Sequence, residues 1–412
     1  MKIIHLLYAD SGGGHNAVYR VHQALLKKRI DSQMWVINSK LDDNTIKQPL
    51  NVFQMKVIKF FLFFAKNFIV RLMKTKNLEI HSVSFFSSSF LKKINNSDAD
   101  VVNLHWIQGE MLSIKDISKI KKPIVWTLHD MWAFCGAEHY TEDNRWQEGY
   151  NFNNRPSYEG GFDLNRWTWK RKRKYWKKEF QIVTPSKWLA SCVSKSALMK
   201  DWPVSVIPNP IDADFWKPMD KYTAKKKLNL PSNVPLILFG AMGGGRNLRK
   251  GFDLLLQSLK KLKNNSTSKN LELIVFGQNK TKSQSDIAFP IHYIGHLSNN
   301  KDLQAAYSAA DVMVVPSRQD NLPNTAIEAQ ACGAPVVAFD VGGLSDIIIH
   351  KKTGYLAKKF DTSDLAHGIN WVLNQQKIKR LGINARIKAV EKFSEKKISE
   401  NYLNIYKKVL TN

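Results

Sequence analysis

The sequence predicts an α/β protein with two doubly wound, Rossmann-like domains. Short apolar runs, typical of buried parallel strands, alternate with helical patterns along the whole chain. With 412 residues, the chain is longer than a single hydrophobic core usually supports. Two prolines one residue apart interrupt the alternation in segment 204–212, which we interpret as an irregular link between the domains. We therefore predict domains over residues 1–207 and 208–394, followed by a closing helix over residues 395–412.

The predicted first domain begins with a strand over residues 2–8. A glycine turn at 11–15 follows this strand and leads into a helix over residues 17–26. Further strands are predicted at 33–37, 101–105, 124–128 and 181–184. The turn fits the Gly-x-Gly-x-x-Ala pattern of dinucleotide-binding folds, but the acidic residue expected at the end of the second strand is missing. The sequence therefore argues against a nicotinamide-dependent enzyme.

The predicted second domain repeats this pattern. Its strands are predicted at 235–239, 271–276, 292–294, 312–315 and 335–339, and helical sequence runs from residue 377 to the end. A glycine-rich loop over 240–251 follows the first of these strands and precedes a helix that begins at Gly251. Ligands of doubly wound sheets bind beyond the carboxyl ends of the strands. We therefore expect the two domains to face a central cleft that holds the substrates.

An anion site is predicted where the strand at 312–315 ends. Pro323 favours the first turn of a helix that Asn321 is placed to cap, so this helix should begin near Pro323. Its first backbone N–H groups, around Asn324 and Thr325, have no acceptor within the helix and attract a diphosphate. The sequence therefore places a nucleotide diphosphate at this helix N-terminus.

Two carboxylates flank this helix start. Asp320 comes just before it, and Glu328 follows about one turn into the helix, where an ionised carboxylate can accept hydrogen bonds from both hydroxyls of a ribose. The pair in isolation would also fit a capped helix with solvated acids. The Gly-Ala-Pro and Gly-Gly turns that follow within 329–343 favour a ligand site.

This segment resembles the nucleotide-sugar signature of the retaining glycosyltransferases of family 4, which have the GT-B fold. It is similar above all to members that build exopolysaccharides and O-antigens. The resemblance implies that Asp320 contacts the donor sugar as a catalytic residue and that Glu328 binds the ribose, although the family usually has Glu at the first position. It also implies that the last helix returns to the first domain and that transfer retains the anomeric configuration.

The glycine-rich loop 240–251 supplies cations for the same chemistry. Glycines let the backbone approach a phosphate, and cationic side chains neutralise the charge that develops on a departing nucleoside diphosphate. The family has an arginine and a Lys-Gly pair here. Lys250 matches the lysine and is predicted to be catalytic, whereas the usual spacing of the arginine falls on Gly245. We expect Arg246 to act as the catalytic arginine, with the donor-binding Arg249 as the alternative.

The first domain contributes the remaining predicted site residues. Gly13 and Gly14 should lie close to the donor phosphate or the acceptor. His129 follows a predicted strand and matches the histidine that the family places near the donor sugar, which implies a hydrogen bond to a sugar hydroxyl. Asp130 is predicted to orient this imidazole or to meet the acceptor. His105, at the end of another strand, is predicted to line the acceptor pocket.

No metal and no cofactor are expected. Two Asp-x-Asp patterns occur, at 98–100 and 212–214, but the first lies at the amino end of a strand and the second follows the proline-containing link. The three cysteines are widely spaced and include no Cys-x-x-Cys pair, which argues against a zinc site or a disulfide framework. We therefore expect activity that survives a metal chelator.

A net charge of +27 predicts attraction to polyanions. Segment 53–74 is predicted to form a basic amphipathic helix that either lies in an anionic membrane interface or packs its apolar face on the core. Its predicted cationic side contains Lys56, Lys59, Lys66, Arg71 and Lys74, its apolar side contains Ile58, Phe61, Leu62, Phe68, Ile69 and Leu72, and Phe60 and Phe63 fall among the cations. Segment 166–178 mixes cations with aromatic rings and fits phosphate headgroups, a nucleic acid backbone or packing against a helix.

The N-terminus is predicted to be a strand rather than a signal peptide, so we expect a cytoplasmic protein. Peripheral attachment to the inner face of the plasma membrane is compatible with the basic helix. The residues and the resemblance together predict a hexosyltransferase that moves a sugar from a nucleotide-sugar donor to a glycan or polyprenyl-diphosphate-linked acceptor during cell-surface polysaccharide or lipopolysaccharide synthesis.

Two alternative functions stay open. A sugar-nucleotide epimerase of the same fold would act without an acceptor. A basic nucleic-acid-binding protein would use the cationic segments and would not need the carboxylate pair. We expect no nucleic acid partner, because the carboxylate pair and the loop cations fit a nucleotide sugar.

Overall fold

The computed structural model describes residues 1–10, 13–240, 247–265, 270–278, 289–297, 299–373 and 375–411. The chain divides into two compact units, Met1–Pro208 with Ile398–Asn412, and Asn209–Lys397. Each unit is built around its own parallel sheet with helices packed on it. The predicted fold class, an α/β protein with two Rossmann-like domains, is therefore confirmed.

In the described part of the chain, the strands are β1 Lys2–Ala9, β2 Asp31–Asn38, β3 Ile46–Lys47, β4 Met73–Lys74, β5 Val101–Leu104, β6 Ile124–Thr127, β7 Gly160–Gly161, β8 Gln181–Thr184, β9 Val204–Val206, β10 Leu236–Gly240, β11 Glu272–Phe276, β12 Ile291–Gly295, β13 Val312–Val315, β14 Val336–Phe339 and β15 Gly354–Ala357. The helices are α1 Gly13–Lys27, α2 Val52–Phe64, α3 Phe90–Asn95, α4 Ile114–Ile117, α5 Arg145–Glu148, α6 Leu164–Tyr175, α7 Lys187–Lys195, α8 Lys221–Lys227, α9 Phe252–Asn265, α10 Asn300–Ala309, α11 Asn324–Ala331, α12 Leu344–Ile347, α13 Thr362–Leu373, α14 Gln375–Phe393 and α15 Glu395–Thr411.

The first unit has a seven-stranded sheet in the order β3-β2-β1-β5-β6-β8-β9, and the second has a six-stranded sheet in the order β12-β11-β10-β13-β14-β15. All neighbouring strands in both sheets run parallel. Strands covered on both faces are continuous apolar runs, as in β13 with four buried residues. The strand order reverses between β1 and β5 and between β10 and β13. Loops at such reversals bind ligands in doubly wound sheets.

Two local predictions are wrong, and one strand was not predicted. Residues 204–206 form the edge strand β9, because the prolines that end regular structure come only after it. Helix α1 begins at Gly13, so the described end of the predicted glycine turn is already helical, while residues 11–12 lie outside the described residues. Strand β15 was missed because its sequence, Gly-Tyr-Leu-Ala, is not a sustained apolar run.

Helix α15 packs on the sheet of the first unit. The Tyr406 hydroxyl accepts a hydrogen bond from Asn103 Nδ2 at 2.7 Å, and the hydroxyls of Tyr402 and Thr127 lie 3.3 Å apart. All four side chains are buried. Buried polar groups of β5 and β6 therefore find their partners on the last helix of the chain.

Helix α2 is shorter than the predicted amphipathic helix. Asn51 begins it with a capping box to Gln54, and beyond Phe64 the chain continues as a π-helical turn, Ala65–Ile69, and a 3₁₀ turn, Val70–Leu72. In the described residues, no helix has both the length and the apolar character needed to span a bilayer.

Segment 166–178 uses its rings mainly for packing. Trp169 and Trp176 are buried, as is the Lys172 side chain, whose ammonium group donates to the backbone oxygens of Cys135 at 3.1 Å and Gly136 at 2.7 Å. These residues therefore pack within the protein, which is one of the three alternatives given for this segment.

Candidate functional site

The predicted anion site lies in the second unit, where the loops after β10 and β13 meet at the reversal of strand order. The residue that caps helix α11 is Pro323, with φ −66° and ψ 119°, and not Asn321 as predicted. A proline favours extended backbone at the residue before it and fixes its own φ near the helical value, so the helix begins directly after Pro323. Gly342 packs closely against the backbone of the loop that contains Asp320. Its φ is 57°, and an added Cβ would lie 1.9 Å from Asp320 O.

Asp320 forms an ion pair with Lys250. Lys250 Nζ lies 2.6 Å from Asp320 Oδ2, which also accepts a hydrogen bond from Ser317 Oγ at 3.1 Å. Arg249 Nη1 lies 4.0 Å from Asp320 Oδ1. Burial alone would raise the pKa of Asp320, but the charges of Lys250 and Arg249 outweigh it and hold this pKa below its ordinary value. The carboxylate is therefore ionised at neutral pH.

The backbone around Lys250 fixes where this cation lies. Residues Leu248–Lys250 form a 3₁₀ turn, and the Asn247 side chain accepts from Arg249 N at 3.1 Å. Gly251 follows with φ 68°, and an added Cβ would lie 1.9 Å from Pro316 O. Only glycine fits this contact between the two loops. Arg246, the predicted catalytic arginine, lies outside the described residues.

A second ion pair, which the sequence did not reveal, holds the 3₁₀ turn against the loop after β13. The Arg318 guanidinium donates to both carboxylate oxygens of Asp253, at 2.8 and 2.6 Å, and to Leu248 O at 2.7 Å. Arg249 Nη1 donates to Gln319 O at 3.0 Å. The two loops are thus joined by side chains of both, and Arg249 belongs to this junction.

Helix α11 carries the remaining predicted donor residues. Asn324 Oδ1 accepts from Asn209 Nδ2 at 3.0 Å, and the same amide donates to Leu322 O at 3.1 Å. The buried Glu328 accepts at Oε2 from the Tyr307 hydroxyl at 2.8 Å. Asn209 and Tyr307 were missed by sequence analysis, since no local pattern links them to this helix.

A small pocket brings together Lys250, Asp320 and Thr325, three of the predicted site residues of the second unit. Lys250, Ser317, Asp320 and Thr325 line it together with the ends of β10 and β13. Thr325 contributes the first turn of α11, whose backbone N–H groups point out of the helix. A cation, a carboxylate and a helix N-terminus therefore border one pocket.

In the first unit, His129 ends a row of three histidines. His5 Nδ1 lies 3.0 Å from His105 Nε2, and His105 Nδ1 lies 3.1 Å from His129 Nε2. His5 and His105 are buried, whereas His129 is partly exposed. Both ring nitrogens of His105 are used within this row, and His105 lines a small pocket together with His129 and Asp130. Its place in an acceptor pocket stays a prediction. Burial lowers the pKa of His129 to about 4, against the opposing charge of Asp130.

Asp130 pairs with His139. Its Oδ2 lies 2.7 Å from His139 Nδ1, and its Oδ1 accepts from Trp132 N at 2.9 Å. The Trp106 ring stacks on His139 with centroids 5.0 Å apart, and a Cβ on Gly14 would lie 3.6 Å from Trp106 Nε1. The predicted residues Gly14, Asp130 and His129 thus belong to one region, with Gly13 at the start of α1.

Carboxylates of both Asp-x-Asp patterns accept hydrogen bonds from groups of the chain itself. Asp98 and Asp100 accept from Lys2, at 2.9 Å from Nζ and 2.7 Å from the backbone N–H, and Asp212 accepts from Asp214 N at 3.1 Å. Within the described ranges, no cluster of three or more metal-ligating side chains occurs. The three cysteines are free and buried.

Two family models match the chain. The model "Glycosyl transferases group 1" matches residues 220–388, and the model "Glycosyltransferase Family 4" matches residues 11–215. Together the two matches extend over most of both units.

Curated relatives align with parts of the chain. An uncharacterized glycosyltransferase of Methanocaldococcus jannaschii is 27% identical over 55% of this chain and 60% of its own length. A D-inositol 3-phosphate glycosyltransferase of Saccharomonospora viridis is 26% identical over 50% of each chain. The capsular polysaccharide biosynthesis glycosyltransferase CapM of Staphylococcus aureus is 30% identical over 38% of this chain and 42% of its own length. The chain therefore spans about half the length of these relatives.

Solved structures match over the whole chain. Sucrose-phosphate synthase of Thermosynechococcus elongatus superposes with a TM-score of 0.67 at 17% identity and covers 100% of both chains. The Anabaena protein HepE, in complex with UDP and glucose, superposes with a TM-score of 0.63 at 14% identity and covers 98% of this chain and 99% of its own. At this level of identity, the similarity shows the fold.

Proposed function

The chain belongs to the group 1 glycosyltransferases of family 4, and we propose that it transfers a hexose from a nucleotide-sugar donor to a glycan or lipid-linked glycan acceptor, with retention of configuration. We assign this reaction to cell-surface polysaccharide synthesis. The observation that carries the proposal is the Lys250–Asp320 ion pair in a pocket that also receives the N-terminus of α11. This arrangement fits a nucleoside diphosphate.

The proposed chemistry is a displacement in which the protein supplies charge and position. The bond between the anomeric carbon and the diphosphate oxygen breaks, and the nucleoside diphosphate leaves with the bonding electrons. The acceptor hydroxyl attacks from the same face and gives its proton to the departing phosphate oxygen. Lys250, the helix N-terminus and an arginine, Arg246 or alternatively Arg249, stabilise the charge on the leaving group. His129 holds a sugar hydroxyl, and no side chain forms a covalent bond with the sugar.

Glu328 is assigned to the ribose of the donor. A carboxylate accepts two hydroxyl hydrogen bonds, as a ribose diol requires. Tyr307 holds Oε2 at 2.8 Å and so fixes the plane of the carboxylate before a ligand arrives. Asp320, placed before the helix, is assigned to the donor sugar.

Donor binding is the first test. Nucleotide sugars of all five common bases are screened by thermal unfolding, because a ligand that binds only the folded protein raises the unfolding temperature. We expect one class of donor to raise it and Glu328→Gln to abolish the shift. Glu391→Gln, an exposed glutamate elsewhere in the second unit, serves as the matched control.

The products separate the alternatives. With donor and acceptor present, NMR of the product should show a glycosidic bond with the anomeric configuration of the donor. Conversion of the nucleotide sugar without any acceptor would instead indicate an epimerase. Nucleic acid binding that is unchanged in Glu328→Gln, without any donor binding, would indicate the other alternative.

We also propose that the protein works at the anionic inner face of the plasma membrane. Phe60 and Phe63, which were predicted to fall among the cations, lie on the outward face of α2 with 62% and 60% of their surfaces exposed. Ile58 is buried, so the helix packs on the core and still presents rings outward. No Asp or Glu occurs between Gln48 and Leu78. Lysines at the headgroups and aromatic rings at the acyl boundary are typical of interfacial helices.

Vesicle flotation tests this surface. We expect the protein to float with vesicles of phosphatidylglycerol and phosphatidylcholine but not with phosphatidylcholine alone. The double variant Phe60→Ser, Phe63→Ser should lose most of this binding. Ile383→Ser with Ile387→Ser, which removes side chains of the second unit that are 53% and 49% exposed, is the control. Equal flotation of both double variants would contradict the proposed membrane surface.

A further inference from the structure

The row of histidines His5, His105 and His129 links three neighbouring strands of the first sheet. His5 lies within β1, His105 directly follows β5, and His129 comes two residues after β6. The first two rings stack with centroids 5.2 Å apart, and the last two centroids are 5.4 Å apart. Each contact joins the Nδ1 atom of one ring to the Nε2 atom of the next, at 3.0 and 3.1 Å.

This connectivity couples the tautomers of the three rings. A neutral imidazole carries one hydrogen, so one of its nitrogens donates and the other accepts. Each contact needs one hydrogen and one lone pair between the two nitrogens. Only two arrangements of neutral rings satisfy both contacts, either with the hydrogen on every Nδ1 or with the hydrogen on every Nε2.

All three rings are neutral at pH 7. Burial lowers the pKa of His5 and His105 well below the ordinary value, and the neighbouring histidines lower both further. Burial also lowers the pKa of His129 to about 4, while Asp130 acts in the opposite direction. The choice therefore lies between the two neutral arrangements.

The buried end of the row decides between them. His5 Nε2 is buried and has no hydrogen-bond partner among the residues that the structure describes. The neighbouring His22 offers none, because its Nδ1 and Nε2 are engaged with Ser32 Oγ and Thr45 Oγ1, both at 2.7 Å. A hydrogen on His5 Nε2 would be a buried donor without an acceptor, which proteins avoid more strictly than an unused lone pair. The hydrogen therefore belongs on Nδ1 throughout the row.

We propose that His5 and His105 are positioning residues that hold His129 in its Nδ1–H tautomer. This inference concerns the proposed transferase site, and it deepens the role of His129 there. Any group that meets His129 through Nδ1 must then be a hydrogen-bond acceptor, and a sugar that binds there must offer an oxygen lone pair. The same ring cannot take a proton from the acceptor hydroxyl through Nδ1.

The tautomer is measured directly by two-dimensional ¹⁵N NMR of protein labelled at its histidine rings, without any donor. The signals of His129 are assigned by their loss in His129→Gln. We expect the wild type to carry the His129 hydrogen on Nδ1, whereas neutral histidine in water favours Nε2. A wild-type spectrum with the hydrogen on Nε2 would overturn the inference by itself.

Two variants of almost equal shape test whether His105 sets this tautomer. In His105→Asn the amide can donate to His129 Nε2 and should preserve the hydrogen on Nδ1. In His105→Asp the carboxylate only accepts, so a hydrogen should appear on His129 Nε2. The same His129 tautomer in both variants would refute the positioning role. Absence of transfer with the wild-type tautomer intact would count against the proposed function and leave this inference standing.

Discussion

Lys250→Met removes the cation that we place beside the leaving diphosphate. Lys250 Nζ lies 2.6 Å from Asp320 Oδ2 and borders the pocket at the start of α11. Loss of one fixed group that stabilises developing charge lowers kcat by about 10²- to 10³-fold, which corresponds to about 2.7–4 kcal/mol. We expect this loss in turnover at saturating donor, with a smaller change in KM, because the charge on the leaving group grows as the bond breaks.

The same substitution destabilises the second unit, because Asp320 stays buried without its nearest cation. Removing one partner of a fully buried ion pair costs about 3–5 kcal/mol. The Lys250 side chain keeps 20% of its surface exposed, and Arg249 lies 4.0 Å from the carboxylate. We therefore expect a smaller loss of about 2–3 kcal/mol. Adding Asp320→Asn removes the unpaired charge, so the double variant should regain most of the lost stability.

The double variant should thus regain most of the stability of the wild type, whereas its turnover should stay low. Thermal unfolding without ligand reports stability, and product formation at saturating nucleotide sugar reports turnover. Lys261→Met is the control, because its ammonium group bonds to the hydroxyls of Thr362 and Ser363, both at 2.8 Å, away from the pocket. Wild-type kcat in Lys250→Met, or recovery of kcat in the double variant, would refute the assigned role of Lys250 in stabilising the leaving group.

Four further predictions concern the same site. Gly251→Ala should lower both the unfolding temperature and kcat. Gly251 has a φ of 68°, and an added Cβ would lie 1.9 Å from Pro316 O, so the substitution forces the two loops apart. An unchanged unfolding temperature and kcat in this variant would contradict the prediction. The folded-state pKa of Asp320 lies below its ordinary value, so the stability from its ion pair is complete above about pH 4 and lost as pH falls through the lower folded pKa. Unfolding temperatures of the wild type should therefore fall more steeply in this range than those of Asp320→Asn. The pH–rate profile should show no step near pH 6.5 from His129, because burial lowers its pKa to about 4 despite the charge of Asp130, and a step that disappears in His129→Gln would refute this. Turnover should be unchanged in EDTA, and loss of activity that manganese restores would show that a metal is required.

The regular elements of both sheets follow closely from local sequence. Strands such as β13 are covered on both faces of a parallel sheet, and this environment requires four or five apolar residues in a row. Such a run can be recognised from the sequence of the strand alone. Strand β15 lacks such an apolar run, because it begins with Gly354. A Cβ on this glycine would lie 1.9 Å from Val336 O. That glycine is required by the neighbouring strand and not by any local preference.

Some residues of the candidate site can likewise be recognised from local sequence, whereas others are brought there by distant parts of the chain. Asp320, Lys250 and Thr325 could be predicted because each follows a strand whose carboxyl end faces the ligand side of a doubly wound sheet. Their partners could not. Tyr307 and Asn209 reach α11 from distant parts of the chain, and the histidine row depends on the register between β1 and β5, where His5 is aligned with Asn103. Such contacts require the three-dimensional fold.

The charges around the pocket suit the departing group better than the intact donor. Among the described residues, Lys250 and Arg249 bring about two positive charges, Asp320 removes one, and the N-terminus of α11 adds about half of one, so these groups together carry about +1.5. The diphosphate of a nucleotide sugar gains one negative charge when the bond to the sugar breaks. The preference for the departing group grows with the positive charge, so the negative charge of Asp320 by itself does not increase it. The carboxylate therefore contributes position rather than charge: its ion pair at 2.6 Å holds Lys250 beside the pocket, where the cation favours the transition state over the ground state.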